Sequence, residues 1–159
     1  MVDKSFMTSF GEFERTEGPE ETSVWSIRIV VDNRFFDGEI PLYILTRAEK
    51  PSVSMLRRAE AILGNMESYL ETGISFLKRT LTEQADDFKI SDREREYLVR
   101  EIEVFPVDFP EVILYDDEEE WVLRFAEGLF SICDPYGINI NFSSDKPISL
   151  DNLEDSEEI

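Results

Sequence analysis

Between Pro51 and Leu81 the apolar residues Leu56, Ala59, Leu63, Met66, Leu70, Ile74, Leu77 and Leu81 recur at steps of three and four. That spacing gathers them on one side of a 3.6-residue period, with Glu60, Glu67, Glu71 and Lys78 off it. The stripe predicts a long helix whose apolar side belongs to the core. Pro51 suits a first turn, where its missing N–H is not needed, and Ser52 and Ser54 are both candidate caps. Gly64 and Gly73 interrupt the run at a cost of about 1 kcal/mol each against alanine. A glycine there lets a strand pack close.

Strands flank this helix on both sides. Ser5 to Phe13 carries Phe6, Phe10 and Phe13. In Val24 to Val31, Trp25, Ile27, Ile29 and Val31 alternate with Ser26 and Arg28, the period of a half-buried strand. Ile40 to Leu45 is a third strand, which Pro41 assigns to an edge. Ser91-Asp92-Arg93-Glu94 has the pattern of a capping box and predicts a second helix to about Glu103. Pro106 and Pro110 then predict a break in regular structure. Strands return at Glu111 to Tyr115, Trp121 to Ala126, Leu129 to Cys133 and Ile138 to Phe142. Residues 145–159 read as an acidic, partly disordered tail. The order predicts one α+β domain over residues 1–159: an antiparallel sheet from N- and C-terminal strands, with two central helices packed on one face.

Charge narrows the class of partner. The chain has 36 acidic and 16 basic residues among 159, a net charge of −20. Nucleic-acid phosphates need a basic face, so direct nucleic-acid binding is not expected. An anionic membrane surface is disfavoured for the same reason. A basic protein partner is favoured. Cys133 is the single cysteine, which excludes a disulfide within the chain and fits a reducing compartment. The first residues lack a continuous apolar core of signal-peptide length, and no run approaches the roughly 20 apolar residues of a membrane span. The expected location is the cytoplasm. An uncovered edge strand would let two copies pair as a homodimer.

The chain contains no histidine, which removes Ser-His-Asp and Cys-His catalysis and the common His-containing metal sites. Neither a phosphate-binding G-x-x-x-x-G-K-S/T loop nor a G-x-G-x-x-G turn occurs, and no cofactor is expected. Cys133 reads as a small buried hydrophobe. What remains is carboxylates. Paired acids can hold magnesium or act as acid and base in hydrolysis, and the run Asp116 to Glu120 could do either. Five acids joining two strands also describe a solvated loop. Tyr115 and Trp121 bracket the run. The candidate partner-binding residues are therefore Tyr115, Asp116, Asp117, Glu118, Glu119, Glu120 and Trp121, as a surface for lysine and arginine. The two aromatics read first as a cross-strand pair supporting a hairpin, ahead of a recognition surface.

Phe10-Gly11-Glu12-Phe13, Trp25, Trp121-x-Leu123-x-Phe125 and Asp134-Pro135-Tyr136-Gly137-Ile138 together resemble small stand-alone bacterial domains of unknown function. Some of these are associated with immunity proteins of polymorphic toxin systems. The resemblance implies a cytoplasmic partner-binding protein and carries over no catalytic residue. The leading expectation is a non-catalytic acidic binding protein, an immunity protein neutralising a basic, nuclease-like toxin. The alternatives are a bacterial scaffold or regulatory module and a carboxylate-dependent hydrolase.

Overall fold

In the computed structural model, which describes residues 4–116 and 118–153, eight strands form one sheet in sequence order. β1 (Ser5–Thr8) and β2 (Gly11–Glu17) make a hairpin where one strand was expected, and β3 (Ser23–Asp32) and β4 (Asp37–Thr46) continue the meander. Helices α1 (Val53–Leu63), α2 (Met66–Glu83) and α3 (Arg95–Leu98) follow, then a 3-10 turn at Ile102–Val104. β5 (Val107–Tyr115), β6 (Glu120–Gly128), β7 (Ile138–Ser143) and β8 (Lys146–Asn152) complete the sheet.

The fold is α+β, but the sheet is mixed and larger than expected. Every neighbouring pair is antiparallel except β4 and β5, which are parallel, with Leu42 opposite Val112 and Leu45 opposite Tyr115. The helices carry the chain from the end of β4 back to the level where β4 began. β5 must then run the same way, as in any crossover long enough to hold a helix.

The predicted helix is two helices. Gly64 closes α1, with its N–H donating to the carbonyls of Glu60 and Ile62, and Asn65 Nδ2 donates to the Ala61 carbonyl at 2.7 Å. These bonds satisfy carbonyls that a helix end leaves open. The stripe survives the break: Ala59, Leu63, Met66, Leu70, Ile74, Leu77 and Leu81 are all buried. Ser52 is the cap, its hydroxyl accepting from Met55 N at 3.2 Å. Gly73 is the point of close approach. A Cβ there would lie 2.8 Å from Leu123 Cδ2 and 3.4 Å from Ile140 Cδ1.

The capping box also forms: Ser91 N donates to Glu94 Oε1 at 3.0 Å and Glu94 N donates to Ser91 Oγ at 3.2 Å. The helix it opens is a single turn and does not reach Glu103. The segment is tied to its surroundings by side chains: the Arg100 carbonyl accepts Lys78 Nζ from α2 at 2.8 Å, and Glu94 Oε2 accepts Ser131 Oγ at 2.9 Å.

Four further expectations are corrected. β4 is not an edge strand, because β5 covers it from Leu42 onward; Pro41, paired only with Arg28, precedes that ladder. Pro110 lies within β5 opposite Phe125, where only β6 stands beside it and the ladder to β4 has not begun. Leu129 to Cys133 is a loop with a 3-10 turn at Ser131–Cys133 rather than a strand. Of the expected tail, Lys146–Asn152 is strand β8, held by Asn141 Nδ2, which donates to Ser149 Oγ and Asp151 Oδ2 at 3.0 Å. Residues 154–159 lie outside the described residues. Among the described residues, no helix is long and apolar enough to cross a membrane.

Candidate partner-binding surface

The acidic connection between β5 and β6 is fixed from behind by α1. Arg58 Nη1 donates to the carbonyls of Glu118 and Glu119 at 2.7 and 2.9 Å. With the backbone held this way, Glu118, Glu119 and Glu120 are exposed. Asp117 lies outside the described residues.

Asp116 has a different task. Its carboxylate accepts Ser52 Oγ at 2.8 Å, Ser52 N at 3.3 Å and Thr46 Oγ1 at 2.9 Å, while its N–H donates to the Leu45 carbonyl at 2.9 Å. It therefore ties together the end of β4, the start of α1 and the end of β5. A negative charge at a helix N-terminus is also favourable to the helix.

The two bracketing aromatics do not form the expected cross-strand pair. Trp121 stands opposite Leu114, not Tyr115, and successive side chains of a strand point to opposite faces. Trp121 is 1% exposed; it stacks on Phe142 with ring centroids 4.4 Å apart, and its Nε1 donates to the Ser144 carbonyl at 2.8 Å. Its ring belongs to the core and offers a partner no surface. Tyr115 is 37% exposed on the opposite face. Burial, then the nearby charges of Glu118 and Asp151, raise the pKa of its phenol.

Beside Tyr115 a cleft of about 620 Å³ is lined by Thr22, Leu45, Thr46, Arg47, Ala48, Asp116 and Glu118. Its walls combine apolar surface with the carboxylates of Asp116 and Glu118 and the guanidinium of Arg47, so its apolar part is the feature that could seat a partner's side chain.

Among the described residues, no group of three or more cysteine, aspartate or glutamate side chains is placed to share a metal ion. Cys133 is buried, and burial followed by the Glu94 charge pushes its thiol up to about 12. The thiolate that nucleophilic chemistry requires is disfavoured there.

Sequence reasoning missed Arg58 and Thr46 and gave Ser52 only as a candidate cap, because their roles here depend on contacts across the whole helical insert. It also missed the outward residues of β4 and β5. In Pro41-Leu42-Tyr43-Ile44-Leu45 both faces are apolar, and that lack of alternation was the available signal. Compared with known proteins, the chain matches no family model, no curated protein and no solved structure.

Proposed function

We propose that this chain is a non-catalytic acidic binding protein that docks a basic protein partner in the cytoplasm. The observation that carries this reading is the net charge of −20 together with exposed acids at Glu118 and Glu119, whose carbonyls Arg58 binds. A fixed array of acids raises the encounter rate with a basic protein and repels acidic ones. A nuclease-like toxin, with its basic nucleic-acid path, is the partner class this charge suits best, and the chain is then its immunity protein. In this reading α1 and α2 cover one face of the sheet, as the buried stripe and the close approach at Gly73 support, and the other face is left for the partner. The absence of histidine and the elevated Cys133 thiol favour binding over catalysis.

The test is capture of host proteins on the full-length chain at low salt, followed by mass spectrometry and measurement of association kinetics. The expected result is a basic protein in a defined stoichiometry, whose on-rate falls steeply between 0.05 and 0.5 M sodium chloride, on the order of the screening expected there. Replacing Glu118→Gln and Glu119→Gln together should slow association by roughly tenfold. An acidic or neutral partner, bound with no salt dependence, would rule the reading out.

A further inference from the structure

In a sheet with one wet face, outward positions are ordinarily polar. Here a single row of outward side chains can be followed through the pairings from β2 to β7: Glu14, Ser26, Tyr43, Ile113, Val122 and Asn141. Its ends are polar and its centre is not. The adjoining row repeats the pattern, with Val24 opposite Leu45 and Leu45 opposite Tyr115. An apolar block thus sits over the parallel β4–β5 pair, on the face opposite Trp25, Ile44, Leu114 and Trp121. Val122 within it is 7% exposed and Tyr115 37%. Elsewhere on this face Val30 is 79% accessible and Glu14, Thr16, Ser149 and Asp151 are exposed, while Ser26, Glu111, Arg124, Asn139 and Asn141 are half-buried.

The margin of the block is acidic. Glu12 and Glu14 lie on the β2 side, Glu39 and Glu120 at the two ends, and Asp151 on the β8 side. Against them the face carries Arg28 and Arg124, the latter paired with Glu111 at 3.1 Å, and the adjoining cleft carries Arg47, fewer cations than the margin has acids. The cleft beside Tyr115 opens from the same block, since Leu45 and Tyr115 belong to both. A contiguous apolar patch with a charged rim marks an interaction site. The rim selects the occupant. A second copy would bring an equally acidic margin against this one, and a nucleic acid would bring phosphates.

We propose that this open sheet face is where the basic protein partner docks, with one apolar side chain of the partner entering the Leu45–Tyr115 cleft and lysines or arginines on the acidic margin. The acidic turn then steers the partner but does not hold it. The proposal rests on the reading of the chain as a binder of basic proteins.

The test uses the full ¹⁵N-labelled chain and two synthetic probes: a twelve-residue lysine–glycine peptide with one central tryptophan, and the same peptide with glycine in place of the tryptophan. The tryptophan peptide is expected to bind about tenfold more tightly, the scale of one buried aromatic anchor. Its binding should shift the amides of residues 42–45 and 112–115. Leu45→Thr and Tyr115→Thr, which keep strand-favouring residues, should each weaken that peptide by about tenfold and leave the glycine peptide unchanged. The shift map comes from the unaltered chain and does not depend on either variant folding. Equal affinity of the two peptides, or shifts confined to residues 118–120, would overturn the docking face and leave the basic-partner reading standing. Failure of both peptides to bind at low salt would overturn the two together. Sedimentation showing a dimer that Leu45→Thr dissociates would assign the face to a second copy instead.

Discussion

The Asp116 carboxylate accepts the Ser52 hydroxyl at 2.8 Å across 64 positions of chain. The same hydroxyl accepts from Met55 N, so one serine caps α1 and joins it to the end of β5. Ser52→Ala should cost about 1–2 kcal/mol, the usual loss of a cap. Asp116→Ala should cost about 2–3 kcal/mol, because the Thr46 and Ser52 hydroxyls lose a charged acceptor. In a double-mutant cycle read by urea denaturation, the two should couple by about 1 kcal/mol. Strict additivity would mean that Asp116 is held by other contacts.

Gly73→Ala sets helix propensity against packing. Alanine gains about 1 kcal/mol in an exposed helix interior. Here its methyl would be 2.8 Å from Leu123 Cδ2, in a core where Leu123 is fully buried, with Ile140 Cδ1 and Phe142 Cζ 3.4 and 3.6 Å from the same methyl. Overpacking costs about 1–3 kcal/mol. Net destabilisation of about 1 kcal/mol is expected, seen as a lower urea midpoint with an unchanged slope. A higher midpoint would mean that α2 can move off β6 cheaply.

Glu94 makes part of the stability pH-dependent. Burial alone would raise its carboxyl, but hydrogen bonds from Ser91 and Ser131 outweigh burial and hold it below its usual 4.5. The folded state therefore binds this proton less readily than the unfolded chain. The contribution is present above about pH 4.5 and is lost as the pH falls through the folded value. Glu94→Gln should be less stable at pH 7 by about 1–3 kcal/mol, the scale of charged hydrogen bonds. The gap from the unaltered chain should narrow steadily below pH 4.5. A gap independent of pH would show that the loss is one of shape and not of charge.

Salt should raise the melting temperature. With 36 acidic against 16 basic residues, the folded chain concentrates like charge that the unfolded chain spreads out. Shortening the Debye length from about 10 Å at 0.1 M to about 3 Å at 1 M sodium chloride relieves this. A rise of roughly 2–4 °C is expected for each kcal/mol relieved. Calorimetry giving a flat or falling melting temperature would indicate that the acids are already compensated by pairs such as Arg34 with Glu71.

β3 was legible because one side of it is wet: Trp25 and Ile27 alternate with Ser26 and Arg28, and periodicity alone gives the strand and its inner face. β4 was legible as a strand but not as an interior one, since a proline excludes an interior strand only where both sides are covered at that residue, and beside Pro41 only β3 stands. The break at Gly64 was visible as a cost, and its outcome depended on Asn65 reaching back to Ala61. For the candidate site, the position and exposure of Glu118 to Glu120 could be read, because several adjacent acids cannot be desolvated without partners. The sides taken by Tyr115 and Trp121 could not, because one residue of register decides them. Nor could the tie from Asp116 to Ser52 and Thr46. No local pattern encodes a contact between residues brought together only by strand order.

That strand order has a kinetic consequence. Cut between β4 and β5, the sheet separates into two four-stranded meanders, each continuous in sequence, with the loop from β6 to β7 the longest connection within either. Only one seam joins distant chain, and Thr46 and Asp116 beside it are 70 positions apart. The main loop-closure entropy of the fold falls on that single event. The meanders can form on their own fast local timescale, while the rate of complete folding is governed by how soon the helical insert shortens the distance between Leu42–Leu45 and Val112–Tyr115. Lengthening the connection at residues 84–90 would then slow folding while leaving the unfolding rate nearly untouched.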